Sequence, residues 1–165
     1  MLQNKITLNI IGKNDFDALM SIFKHEKVGE TSMVPPLPDI ETELRLFSRL
    51  HTLSTSGEKF VMGIFLDNAL IGILNEVERH DCIIELGYAI HPKYSGKGYM
   101  TNALSLGISH LFANGIKEII AGAFDDNVAS LRVMQKCGMI LMDKTEEIEY
   151  RDRVHRCIYY HITND

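Results

Sequence analysis

The sequence predicts a mixed α/β protein built on one sheet of about seven strands, mostly antiparallel, with helices on both faces. Three observations lead there. Apolar residues recur at helical spacing in some segments and alternate with polar ones in others, so one chain carries both periods. Two strand-like runs meet at Asp67-Asn68, which reads as a tight hairpin and hence antiparallel pairing. Later strand-like runs are separated by helical segments, the order that a parallel pair with a crossover helix requires. At 165 residues the chain suits a single domain spanning residues 1–165.

In order along the chain, Lys5 to Ile10 alternates and reads as an edge strand. Phe16, Leu19, Met20 and Phe23 mark a helix opened by Asn14 or Asp15. Val34-Pro35-Pro36-Leu37-Pro38 must be irregular, because each proline fixes its own dihedral and restricts its predecessor. Asp39 caps a second helix with Ile40, Leu44, Phe47 and Leu50 on one face, ended by Ser54 to Gly57. Strands follow over Phe60 to Leu66, Ala69 to Glu76 and Cys82 to Ile90. A helix over Gly98 to Phe112 presents Met100, Leu104, Ile108 and Leu111 on one side. Lys117 to Phe124 is a strand, and Asn127 to Cys137 a short helix closed by Gly138. Met139 to Tyr150 and Arg156 to Ile162 complete the sheet.

Composition removes several classes of function. A net charge of -5 lacks the basic excess of a nucleic-acid binder. Cys82, Cys137 and Cys157 are odd in number and form no CxxC pair, which argues against a disulfide framework or a zinc site. The histidines show no HxxxH or HxH spacing, so no metal is expected. No stretch reaches the roughly 18 apolar residues of a membrane span. The first residues alternate rather than form a basic segment followed by an apolar run, so no signal peptide is expected. These observations point to a cytoplasmic protein and leave a homodimer open.

Two segments carry chemistry. In Ile90-His91-Pro92-Lys93-Tyr94-Ser95-Gly96-Lys97-Gly98-Tyr99-Met100, an apolar strand passes into an amphipathic helix through paired glycines. Such a helix start offers unbonded N–H groups at the positive end of the dipole, and a diphosphate is its natural occupant. A GxG also simply terminates strands, but the missing third glycine and the absence of GK[ST] weigh against dinucleotide and P-loop readings. In Asp126-Asn127-Val128-Ala129-Ser130-Leu131 a strand gives way to a helix; Asn127 and Ser130 have the spacing of an ordinary cap.

Taken together, these segments resemble the GCN5-related N-acetyltransferase (GNAT) superfamily. Lys93-Tyr94-Ser95-Gly96-Lys97-Gly98 fits its Q/R-x-x-G-x-G/A motif, with Lys93 where Gln or Arg is usual. Glu85-Leu86-Gly87-Tyr88 before it, with Asn127-x-x-Ser130 and Gly138-Met139 after it, look most like the RimJ/RimL-like branch that acetylates ribosomal-protein N-termini. The resemblance is best over residues 60 to 160.

The resemblance implies acetyl-CoA as cosubstrate, no metal, and an amine acceptor, either a protein N-terminus or a small molecule. Backbone amides of Gly96, Lys97, Gly98, Tyr99 and Met100 would cradle the pyrophosphate, and Lys93 would meet a cofactor phosphate. The backbone of Tyr88, Ala89 and Ile90 would pair with the pantetheine arm, and Asn127 would hydrogen-bond it. Many relatives protonate the leaving thiolate with a tyrosine whose matching position here is Met134, so Ser130 is the remaining hydroxyl. Glu85, the charged residue of an otherwise apolar strand, is the candidate base, with Glu149 the alternative. A solvent-facing or ion-paired role remains open for Glu85. Tyr159-Tyr160 either lines the substrate cleft or fills a core strand. The main rival is a non-catalytic acyl-CoA-binding module.

Overall fold

A computed structural model describes residues 4–165. Seven strands form one sheet in the order β1-β2-β3-β4-β5-β7-β6. They are β1 (Ile6–Asn9), β2 (Val61–Leu66), β3 (Ala69–His80), β4 (Ile83–Ile90), β5 (Glu118–Phe124), β6 (Ile140–Tyr150) and β7 (Arg153–Thr163). The helices are α1 (Phe16–Phe23), α2 (Glu26–Thr31), α3 (Ile40–Ser56), α4 (Tyr99–Ala113) and α5 (Val128–Lys136). β4 pairs with β5 in parallel, and α4 is the crossover between them. The β1–β2, β2–β3, β5–β7 and β6–β7 pairings are antiparallel. None of the described helices is long and apolar enough to cross a membrane.

The described residues form two compact units, the first running up to Asn75 with Tyr88–Tyr99 added. Its core joins Leu19, Met20 and Ile22 of α1 to Phe47 of α3 and to Val61, Phe65, Leu70 and Ile73 of the sheet. Asp39 caps α3 as expected, its Oδ1 accepting from the Thr42 N–H at 2.8 Å. The buried face of α3 is the expected one only in part: Phe47 is buried and Leu50 partly so. Ile40 and Leu44 are 59% and 52% exposed, whereas Glu43 is 7% exposed. The buried stripe runs Glu43, Phe47, Ser54, with Leu50 partly buried beside it. Glu43 is tolerated there because the Lys24 ammonium lies 2.6 Å from its carboxylate, and Ser54 because its Oγ accepts from the Ile11 N–H at 2.9 Å. The short helix α2, which the apolar pattern does not announce, is capped by His25, whose Nδ1 accepts from the Lys27 N–H.

The second unit holds Glu76–Gly87 and Met100–Asp165. Met100, Leu104, Ile108 and Leu111 are all buried, as their spacing predicts. On the sheet, Phe124, Cys157 and Tyr159 form a further cluster with Ile120, Met142, Ile148 and Tyr150 packed against it. β3 runs four residues past its expected end at Glu76, and β7 begins three residues early, at Arg153. The β6–β7 hairpin pairs Tyr150 with Arg153 and so turns in two residues, Arg151 and Asp152, at φ 52° and 60°.

Candidate functional site

The loop after β4 is tied down at its start. His91 N–H donates to the Ile71 carbonyl at 2.8 Å, and His91 Nδ1 accepts from the Lys93 N–H at 3.1 Å. A single 3-10 turn, Pro92–Tyr94, follows. Gly96 and Gly98 then adopt φ values of +74° and +81°, which an L side chain rarely takes. A β-carbon added at either would meet nothing within 4 Å, so these glycines are required by backbone conformation and leave open space beside the chain. The chain enters α4 at once, where the first N–H groups have no acceptor inside the helix. Met100 is buried, so it offers the loop only its backbone, and Tyr99 Oη accepts from Asn4 Nδ2 at 3.2 Å. The Lys93 and Lys97 side chains are exposed. A cavity of about 200 Å³ opens next to the loop, lined by Ser21, Ile22, Leu70, His91, Lys93 and Tyr94.

The β4–β5 ladder pairs Ile83 through Leu86 with Glu118 through Ala121 and ends there. Tyr88, Ala89 and Ile90 lie beyond its last pair, and the Ala89 side chain belongs to the core of the first unit.

Asn127 is the N-cap of α5, and its Oδ1 accepts from the Ser130 N–H at 3.2 Å. The cap is thus real, and it uses the oxygen of Asn127 and the backbone of Ser130, not the serine hydroxyl. Met134 is wholly buried in the same helix, so it belongs to the core.

Glu85 lies half-buried on β4, opposite Ile120 in the ladder. Burial pushes its carboxyl above the ordinary range; Lys144 opposes this, while Glu78 and Glu146 add to it. Pairing explains the company it keeps. Ile120 pairs with His161 and Gly122 with Tyr159, while Glu146 pairs with Cys157, so alternation brings Glu85, Tyr159, Cys157 and Glu146 to one face of the sheet. The Tyr159 hydroxyl donates to Glu146 Oε2 at 2.8 Å. Lys144 Nζ lies 3.7 Å from Glu146 Oε1 and 4.3 Å from the centre of the Tyr159 ring. Burial and the bond to Glu146 raise the Tyr159 phenol above its ordinary value, so it stays protonated. Tyr160 turns the other way, and its hydroxyl accepts from Gln135 Nε2 of α5 at 3.0 Å.

The first unit thus gathers Tyr88, Ala89, Ile90, Lys93, Gly96, Lys97, Gly98 and Tyr99, and the second holds Glu85, Met100, Asn127 and Ser130. Glu149 is exposed and one residue out of phase with Ile148, on the face away from Glu146. The grouping of Lys144 and Glu146 around Tyr159 is absent from the sequence reading, because it depends on cross-strand register. Among the described residues, no group of three or more His, Cys, Asp or Glu side chains is placed to hold a metal.

No curated protein matches the sequence. Many solved structures share its fold. A GNAT-family acetyltransferase from Bacillus anthracis aligns at a TM-score of 0.82 with 21% identity, over 98% of this chain and 96% of its own. RimL, a ribosomal L7/L12 alpha-N-protein acetyltransferase, aligns at 0.83 with 19% identity, over 99% and 93%. The putative acetyltransferase yncA from Salmonella typhimurium, solved with its cofactor acetyl-CoA, aligns at 0.76 with 19% identity, over 98% and 95%. Residues 5–140 match the sequence profile of the acetyltransferase (GNAT) domain, which is most of the chain, and it is therefore to the GNAT acetyltransferases that this protein belongs.

Proposed function

We propose that the chain transfers the acetyl group of acetyl-CoA to a primary amine by direct attack. One observation carries this reading: the positive-φ pair Gly96 and Gly98 opens α4 at the end of a short loop that follows a strand whose ladder with β5 has already ended. The glycine loop and helix start supply N–H donors for a pyrophosphate, with Lys93 and Lys97 as nearby cations. The tail of β4 supplies Tyr88, Ala89 and Ile90 for a pantetheine arm running like an added strand. In the second unit, Asn127 carries an amide nitrogen that the helix cap does not use.

The chemistry the cofactor supplies is a thioester already activated toward a neutral amine. The chain's own work is to hold the amine close and strip its proton. Glu85 first accepts a proton from the incoming ammonium, directly or through water; the neutral amine then forms the C–N bond, and as the C–S bond breaks the surplus N–H proton passes to the departing thiolate. A backbone N–H near Ile90 steadies the oxyanion, and Ser130 is the hydroxyl assigned to the departing thiolate. The likeness to RimL supports a protein N-terminus as acceptor, with small-molecule amines as the alternative.

Thiol release from acetyl-CoA, followed with a panel of peptides and small amines, tests the proposal. Release that depends on one class of amine supports it. Coenzyme A that raises the melting temperature without turnover on any amine would leave a binding module instead.

A further inference from the structure

The grouping of Lys144, Glu146 and Tyr159 matches the parts of a cation cage. Tyr159 supplies a ring face, and its hydroxyl is fixed by Glu146 at 2.8 Å. Lys144 Nζ sits over that face at 4.3 Å from its centre and 3.7 Å from the Glu146 carboxylate. The ring is held where it is because position 122 is glycine: a β-carbon there would come within 2.6 Å of Tyr159 Cε1. Charge favours a cation as well. Glu78 and Glu146 both act on Glu85, and Lys144 is the cation that opposes them there.

We infer that the Tyr159 ring and the Glu146 carboxylate form the binding site for the acceptor's ammonium group, and that Lys144 occupies this site in the free protein as a tethered stand-in. The inference rests on the acetyl-transfer reading and names the part of the second unit that recognises the amine. Lys144 is 43% exposed in its side chain, so it can swing away without unpacking the core. An arriving ammonium then exchanges one cation for another over the same ring, and the ring–cation attraction is retained. Once there, the ammonium lies on the face of the sheet that carries Glu85.

Binding of n-butylammonium chloride at constant ionic strength, followed by calorimetry on the full chain, tests this. Lys144→Met should bind the probe roughly fivefold to fiftyfold more tightly than the parent, since the tethered competitor is gone. Lys144→Arg, which keeps a cation on the ring, should bind no better than the parent. Adding Glu146→Gln to Lys144→Met should remove most of the gain. Glu146 is half-exposed, so this change leaves the fold intact, and the melting temperature verifies that. Equal affinity in Lys144→Met and the parent would overturn the inference, as would a gain that survives Glu146→Gln. Coenzyme A binding in the same samples separates the two readings. A coenzyme A shift without the butylammonium gain removes the cage alone. The gain without any coenzyme A shift removes the transferase reading and leaves the cation site standing.

Discussion

Tyr159 fills the space that a side chain at position 122 would need: these two residues are ladder partners on β7 and β5, and a β-carbon on Gly122 would lie 2.6 Å from Cε1 and 2.9 Å from Cδ1 of the ring. Cys157 Sγ crowds the same spot at 3.2 Å. Gly122→Ala must therefore push the ring aside and stretch the Tyr159–Glu146 bond. The expected cost is about 1–3 kcal/mol, the usual range for overpacking, read as a lower midpoint in urea. An unchanged midpoint would mean that the ring is not fixed by the glycine.

As the proposed base, Glu85 should set the acid limb of the pH profile. It acts as a base only when ionised, and its carboxyl lies above the ordinary range because of burial. The rate kcat/KM should therefore rise with pH, with a midpoint higher than an exposed glutamate would give. Lys144 lowers that midpoint and Glu146 raises it. Lys144→Met should shift the limb upward and Glu146→Gln should shift it downward. Opposite or absent shifts would show that another group limits the reaction.

Replacing Glu85 separates activity from stability. Because its folded pKa is raised, the unfolded chain loses this proton first, so ionised Glu85 weakens the fold above its unfolded pKa. Glu85→Gln should lower kcat roughly 10²- to 10⁴-fold without lowering the melting temperature at pH 7. A variant that keeps its turnover assigns the proton to another acceptor.

Gly98→Ala combines two effects that a control can divide. At φ +81° an alanine is strained, and at φ +93° so is one at Gly115, just past the end of α4. Both variants should lose about 1–2 kcal/mol of stability. Only Gly98→Ala should raise the KM for acetyl-CoA, by more than about tenfold, since a methyl group would enter space assigned to the pyrophosphate. Equal KM values in the two variants would reduce Gly98 to a turn residue.

Asn127 and Ser130 divide in the same way. The cap needs the Asn127 side chain and only the backbone of Ser130. Asn127→Ala should cost about 1 kcal/mol of stability. Ser130→Ala should lower kcat roughly tenfold to a hundredfold, with the acetyl-CoA KM within about threefold. Full turnover in Ser130→Ala would remove it from the reaction.

How much of this the sequence reveals depends on whether a feature is local. The glycine loop, the Asp39 and Asn127 caps and the stripe of α4 are local, and each is found where the spacing puts it. Glu85 stands out because a charge in an apolar strand needs no partner to be noticed. The face of α3 misleads because Ile40 and Leu44 have the right period, yet Lys24 lets Glu43 take the buried side. Helix α2 is six residues long, too short for a period to register. The setting of Tyr159 is invisible for a different reason. Only the pairing of β5, β6 and β7 separates Tyr159, which faces Glu146, from Tyr160, which faces Gln135.

The reversal between Tyr150 and Arg153 carries a consequence for how this protein tolerates change. Both of its residues are left-handed and neither is glycine, so each holds about 1 kcal/mol of strain that glycine would release. Asp152→Gly should raise the melting temperature while keeping the two-residue turn that such hairpins favour. That gain lies at the tip of the hairpin whose strands carry Glu146 and Tyr159, away from the groups themselves. Substitutions that reshape acceptor choice usually weaken a fold, and in this chain a single glycine at the tip would restore the lost margin. The strained turn is therefore a reserve of evolvability, held on the same element as the proposed ammonium site.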